Sequence, residues 1–287
     1  MNFLNWLTSF FFDVFLTPFE LLGSSFALIV TSGIFGIVAL LIFKSISWQA
    51  GIKATKDKIK GHMIAIRIYQ DDLVIVGKSV VSVLLRNFQY IGLNFGPILP
   101  LALPFGFVAA QFVVRYAFDP IPVTPQEEVA GLKSGEGTMV SITMKSDRKA
   151  EVEGLTLRLP QNFLALTPMV VNATDGVAWQ EVVALSPGEG EIELLMGDQV
   201  IGTKSIVAGD SPPRMMQGER VSGLFSAILW PAEERFASDC PIEAVRFAYP
   251  DRDLGWLPGG VGGILLIFIV ASMLFGVALL KPLNIQI

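Results

Sequence analysis

Asn87 and Asn94 lie seven residues apart in an apolar stretch, with Tyr90 between them, so a helix carries all three on one face. Arg86 and Gln89 fall close to that face. Polar groups inside an apolar helix are costly, and they mark candidate functional positions. Two chemistries suit them: lining a wet path for a polar segment entering a bilayer, or touching headgroups at the end of a span. Other chemistries find no residues. One histidine, His62, and one cysteine, Cys240, leave no histidine-pair metal site, no Cys-x-x-Cys and no intramolecular disulfide. There is no Walker loop and no Gly-x-Ser-x-Gly elbow. The acid pairs Glu127-Glu128 and Glu233-Glu234 read as solvated surface. No cofactor and no metal are expected, and an enzyme is disfavoured.

The elements that must position these residues follow from composition. Apolar residues make up 52% of the chain, charged residues 16%, and mean hydropathy is +0.57. A soluble domain carries about a quarter charged residues, so the chain reads as an integral membrane protein. Three uncharged runs, about 24–43, 91–114 and 257–280, are near the length of a spanning helix. The second contains Pro97, Pro100 and Pro104, which kink or break a helix. Residues 1–22 differ: Asn2, Asn5, Ser9, Asp13, Thr17 and Glu20 form a helical stripe opposite Phe3, Trp6, Phe10, Phe11, Phe15 and Phe19. That pattern predicts an amphipathic helix lying in the interface.

Charge then orients the chain. Residues 44–90 carry eight basic residues, Lys44, Lys53, Lys56, Lys58, Lys60, Arg67, Lys78 and Arg86, against three acidic ones, net +5. Residues 119–256 carry 11 basic and 21 acidic residues, net −10. Cytoplasmic loops are enriched in Lys and Arg. The expectation is therefore a cytoplasmic basic hairpin at 44–90 and a short cytoplasmic tail at 281–287, with the N-terminus and residues 119–256 outside. The hairpin reads as helical, with Gly61 or Gln70-Asp71-Asp72 as its bend. Anionic headgroups account for its charge, so DNA binding is not expected.

The 119–256 segment changes character. Thr138–Met144, Glu153–Leu159, Met169–Asn172, Val177–Ala184, Glu191–Leu195, Val200–Val207, Gly223–Trp230 and Ala244–Tyr249 are short, and turn signals punctuate them. They predict an all-β, sandwich-like domain. The expected fold is thus membrane α-helical, with three transmembrane helices and a basic hairpin, plus an exterior β-domain.

This order resembles the YidC/Oxa-type membrane insertase superfamily in its minimal three-span form. Phe3–Leu22 resembles the interfacial helix before the first core span. Ser24–Phe43, running into Lys44-Ser-Ile-Ser-Trp-Gln49 and the Lys53–Lys60 cluster, resembles that span entering its hairpin. The likeness covers about 1–118 and 257–287. Gly36 stands where bacterial members usually carry a groove arginine, and the β-domain sits between the second and third spans. A groove here would be polar through Thr31, Ser32, Asn87, Gln89 and Asn94.

The resemblance implies an insertase or chaperone in the bacterial inner membrane, its β-domain periplasmic, moving polar segments through that groove without ATP. Nascent membrane proteins or the ribosome would meet the hairpin, and lipids would surround the spans. The competing expectation is a structural or assembly subunit of a larger complex, docked to a protein partner through the β-domain.

Overall fold

The computed structural model describes residues 2–285, with side chains for all of these except 2–5 and 225. Asn2 and Asn5 of the expected stripe and Phe3 of the opposite face therefore lie outside the described side chains, and 286–287 outside the described residues. Five long helices come first: α1 (Asn2–Glu20), α2 (Ser24–Ile46), α3 (Gln49–Ile68), α4 (Leu73–Phe95) and α5 (Ile98–Tyr116). A short α6 (Gln126–Val129) leads into the β region, α7 (Leu224–Leu229) interrupts it, and α8 (Gly260–Leu279) follows. By length and composition, three stretches among the described residues can cross a membrane: α2, the run from Leu73 to Tyr116, and α8.

The helix boundaries have local causes. Gly23 takes φ +108°, which ends α1 and turns the chain into α2. Of the two expected bends, Gly61 lies inside α3, and the chain reverses at 69–72. There Asp72 accepts hydrogen bonds from the backbone N–H groups of Val74 (2.9 Å) and Ile75 (3.1 Å) and caps α4. The second apolar run begins earlier than the expected 91–114. Gly96 keeps helical dihedrals and bonds back to Gly92, so only Pro97, which lacks an N–H, interrupts the path between α4 and α5.

The chain divides into two compact units: 1–28 with 107–267, and 29–106 with 268–287. The first carries nine strands in two sheets. They are β1 (Thr138–Met144), β2 (Leu155–Arg158), β3 (Phe163–Ala165), β4 (Val170–Asn172), β5 (Val177–Ala184), β6 (Gly188–Met196), β7 (Gln199–Ala208), β8 (Glu219–Val221) and β9 (Ile242–Phe247). One sheet runs β3-β5-β1-β9-β8, with β4 also on β5, and the other runs β2-β6-β7. All strand pairs are antiparallel. In β1, Val140, Ile142 and Met144 are buried at every second position, the strand period that marks a one-sided core. The proline-rich exit 119–124 joins the two sheets, since Ile121 bridges Ala208 of β7 and Val123 bridges Ala184 of β5.

The strand expectation at Gly223–Trp230 is corrected, because α7 occupies it. Leu, Ala and Ile recur there without polar alternation, and Gly223 sits at the N-cap position, which suits a helical turn. The short β3 and β8 lie outside the runs expected as strands.

Within the same unit, the polar side of α1 is clamped. Arg115, at the end of α5, is fully buried and gives its guanidinium to Asp13 at 2.5 Å. Arg214 reaches Asp13 at 2.9 Å, and the Tyr116 hydroxyl donates to Glu20 at 2.7 Å. Trp6, Phe10 and Phe11 are left exposed on α1, while Phe12 and Leu16 are buried.

Candidate functional site

The helical unit, 29–106 with 268–287, contains the candidate site. Small residues let its helices approach. A Cβ at Gly36 would overlap the backbone of Ser272 in α8, and one at Gly33 would strike the Phe275 ring. Glycines at such crossings permit close packing of apolar helices. Gly36, the position corresponding to the groove arginine of the resemblance, is therefore filled by a neighbouring backbone. No side chain fits there without separating α2 from α8.

Beside this crossing runs a groove of about 550 Å³. Leu40 and Phe43 of α2, Leu101 and Phe105 of α5, and Met273 and Val277 of α8 form its walls, and Asn94 and Phe95 close one end. Phe105 packs against Phe268 with ring centroids 5.2 Å apart. Apart from Asn94, every lining side chain is apolar or a glycine. The end of the chain belongs to the same packing. Leu283 and Ile285 rest against Leu40 and Phe43, and the Lys44 ammonium donates to the Leu283 carbonyl at 2.9 Å.

The expected groove residues separate. Asn94 is buried and lines the groove, and its amide N–H donates to the Tyr90 carbonyl at 2.8 Å. Its Oδ1 accepts no hydrogen bond among the described residues. Thr31 and Ser32 are fully buried and do not line the groove, and the Ser32 hydroxyl likewise has no partner among the described residues. Asn87 is exposed and donates to the Val83 carbonyl of its own helix at 2.9 Å. Gln89 is exposed and accepts from Arg86 at 2.6 Å. One of the five thus reaches the groove. The periodicity of α4 placed Asn87 and Asn94 on one side, but that side runs from packed interior to open surface along its length.

Of the expected hairpin cations, Lys44 lies in the last turn of α2 and the others fall on the α3–α4 hairpin. Lys53, Lys58, Lys60, Arg67 and Lys78 are exposed, and Lys56 and Arg86 are half-buried. His62 is half-buried on α3, and no group of three or more metal-ligating side chains occurs among the described residues.

A second polar centre lies in the β-bearing unit. Lys204 of β7 is fully buried and pairs with Glu233. Its ammonium also donates to the carbonyls of Gln217 (2.9 Å) and Ser205 (3.1 Å), 5.1 Å from the centre of the Phe247 ring. Burial pushes the Lys204 ammonium below its ordinary value, and the Glu233 carboxylate opposes that shift. Glu233 is thus not the solvated surface residue expected of a Glu-Glu pair. Every donor of this centre is committed to the protein, so it is a structural pin.

The outer edge of β7 is closed in the same way. Cys240 donates to the Ile201 carbonyl (3.2 Å), Arg220 donates to that of Thr203, and the Ile121 N–H donates to that of Val207 (3.0 Å). Lys204 takes the Ser205 carbonyl between them.

The buried Lys204 and the groove walls escaped the sequence reading. A lysine among Gly202, Ile206 and Ala208, the inward set of β7, was the available signal for the first. The groove has only a weak signal, small residues spaced along α2 and α8. Comparison with protein-family models, curated proteins and solved structures returned no match.

Proposed function

We propose that the chain is a membrane-protein chaperone of the YidC/Oxa-like kind, which shelters an apolar client helix within the bilayer. The observation that carries this reading is the groove of the helical unit, walled by Leu40, Phe43, Leu101, Phe105 and Val277, with one buried amide at its end. An apolar concavity with a few polar groups is the usual form of a binding site. In lipid, helix association rests on packing and on scattered polar contacts, which such a surface offers. The arrangement favours holding apolar segments over conducting polar ones, since Thr31, Ser32, Asn87 and Gln89 do not line it. In the same reading the β-domain, a sandwich-like body, stands outside a bacterial plasma membrane. The basic hairpin and the C-terminus face the cytoplasm, and ribosomes or nascent chains meet the hairpin.

A second reading, a structural subunit of a larger membrane complex, is favoured by Gly36. Its contact with the Ser272 backbone removes the space for a groove arginine. Photocrosslinking from Leu101 and Phe105 during translation of membrane proteins separates the two. Adducts to many nascent chains support the chaperone. Adducts to one constant mature protein, or to lipid alone, defeat the chaperone and point to the subunit.

A further inference from the structure

The α3–α4 hairpin has two unlike outer surfaces. α3 turns Gly51, Ile52 and Thr55 inward and leaves Lys53, Lys58, Lys60 and Arg67 exposed. On α4 the buried and half-buried positions are Val76, Ser79, Ser82, Val83, Arg86, Tyr90, Leu93 and Asn94, one side of the helix. Opposite them, Val81, Leu84, Leu85, Phe88, Ile91 and Phe95 are all exposed, Phe88 at 72%. At about 100° per residue these six fall within roughly 120° of arc, the width of a face that binds an apolar phase. Lys78 and Gln89 border the arc on one flank and Asn87 on the other.

We infer that this outer face of α4 rests in the surface layer of the bilayer, among lipid headgroups and upper acyl chains, with the helix along the membrane plane. Two observations select lipid and this orientation. First, α4 continues through Gly96 into α5, and the run Leu73–Tyr116 is 44 residues. At 1.5 Å per residue that is about 66 Å, roughly twice the hydrocarbon core, so it cannot cross as one straight rod. Pro97 supplies the joint at which the path can change direction.

Second, the hairpin's charge forbids full immersion. α3 packs along α4 and would carry four exposed cations into hydrocarbon, each costing about 2.5–3.5 kcal/mol. A helix lying flat avoids that cost, because only its apolar arc enters the bilayer. The net +5 of residues 44–90 is then drawn to anionic headgroups. Apolar arc and cationic rim together are the pattern of a helix that lies on a membrane.

The full chain, reconstituted into vesicles of phosphatidylcholine with a minority of phosphatidylglycerol, tests this. Single replacements Val81→Cys, Phe88→Cys and Phe95→Cys carry an environment-sensitive dye, Lys58→Cys on α3 is the water-facing reference, and the parent chain with its buried Cys240 is the blank. We expect the three α4 dyes to lose quenching by aqueous iodide and to be quenched by a shallow lipid-borne nitroxide, all at one depth. The Lys58 dye should keep its iodide quenching. Iodide quenching at all α4 positions would overturn the inference. Protection from both quenchers, which means a protein covers the face, overturns it too, as does a depth that increases steadily from Val81 to Phe95.

Discussion

The β-bearing unit and the helical unit differ in the charge they bury: the first buries a lysine and an arginine, each paired with a carboxylate, and the second buries no charged side chain among the described residues. In the first, a buried lysine has three oxygen partners, and a buried arginine is held by Asp13 and the Ser9 carbonyl. In the second, Asn94 Oδ1 and the Ser32 hydroxyl are buried without a partner among the described residues, while Phe88, Ile91 and Leu103 are exposed. Both units leave some buried polar atoms without a partner among the described residues, Gln111 and Gln180 in the first, so the difference lies in charge, which the first neutralises within its own chain. A unit that displays apolar residues relies on a medium or a partner to complete it. The contrast fits a helical part that displays apolar residues to a membrane and a β-bearing part whose buried charges are neutralised by its own chain.

The largest test strikes the β-bearing unit. Lys204→Ala leaves Glu233 without its cation, and loss of one member of a buried pair costs about 3–5 kcal/mol. Limited proteolysis should then cut the β region readily and leave residues 29–106 as resistant as before. Unchanged resistance would mean that the pair contributes little and that the contrast is overdrawn. A smaller effect is expected in the helical unit. Gly36→Leu forces a side chain onto the Ser272 backbone, and such overpacking costs about 1–3 kcal/mol. Faster hydrogen exchange confined to α2 and α8 is the expected result, and no change would show that the helices part freely there. The smallest effect sharpens the boundary. Arg158 and Glu193 pair at 2.7 Å on an open surface, so Arg158→Ala should shift stability by less than about 1 kcal/mol. A shift as large as that of Lys204→Ala would show that exposure does not grade these pairs.

Legibility in the sequence followed the range of the interactions involved. β1 and β5 agree end to end with the expected runs, because period-2 alternation and flanking turns are local signals. The first and third apolar runs match α2 and α8 closely, since length and absence of charge suffice. The α7 segment did not, because five apolar residues with a single serine and no alternation fit a helix as well as a strand. The site was legible only at Asn94. Whether a polar residue of α4 faces a cavity depends on which helices lie beside it, and those contacts join residues far apart in sequence. The same is true of Glu233, whose partner Lys204 lies on a different strand.

The closed edge of β7 bears on how the protein behaves in a crowd. A strand at the rim of a sheet ordinarily offers a row of open backbone groups on which another chain can grow. From Ile201 to Val207 the alternate carbonyls of that row are already taken, by a thiol, a guanidinium, an ammonium and a backbone N–H of the same molecule. On the other sheet, the rim strands β3, β4 and β8 are only three residues long, too short to template a stable addition. With β2, the opposite rim of the β7 sheet, only four residues long, each rim of the β region is either short or has its carbonyls occupied, which blunts the edges at which strand-to-strand polymerisation starts.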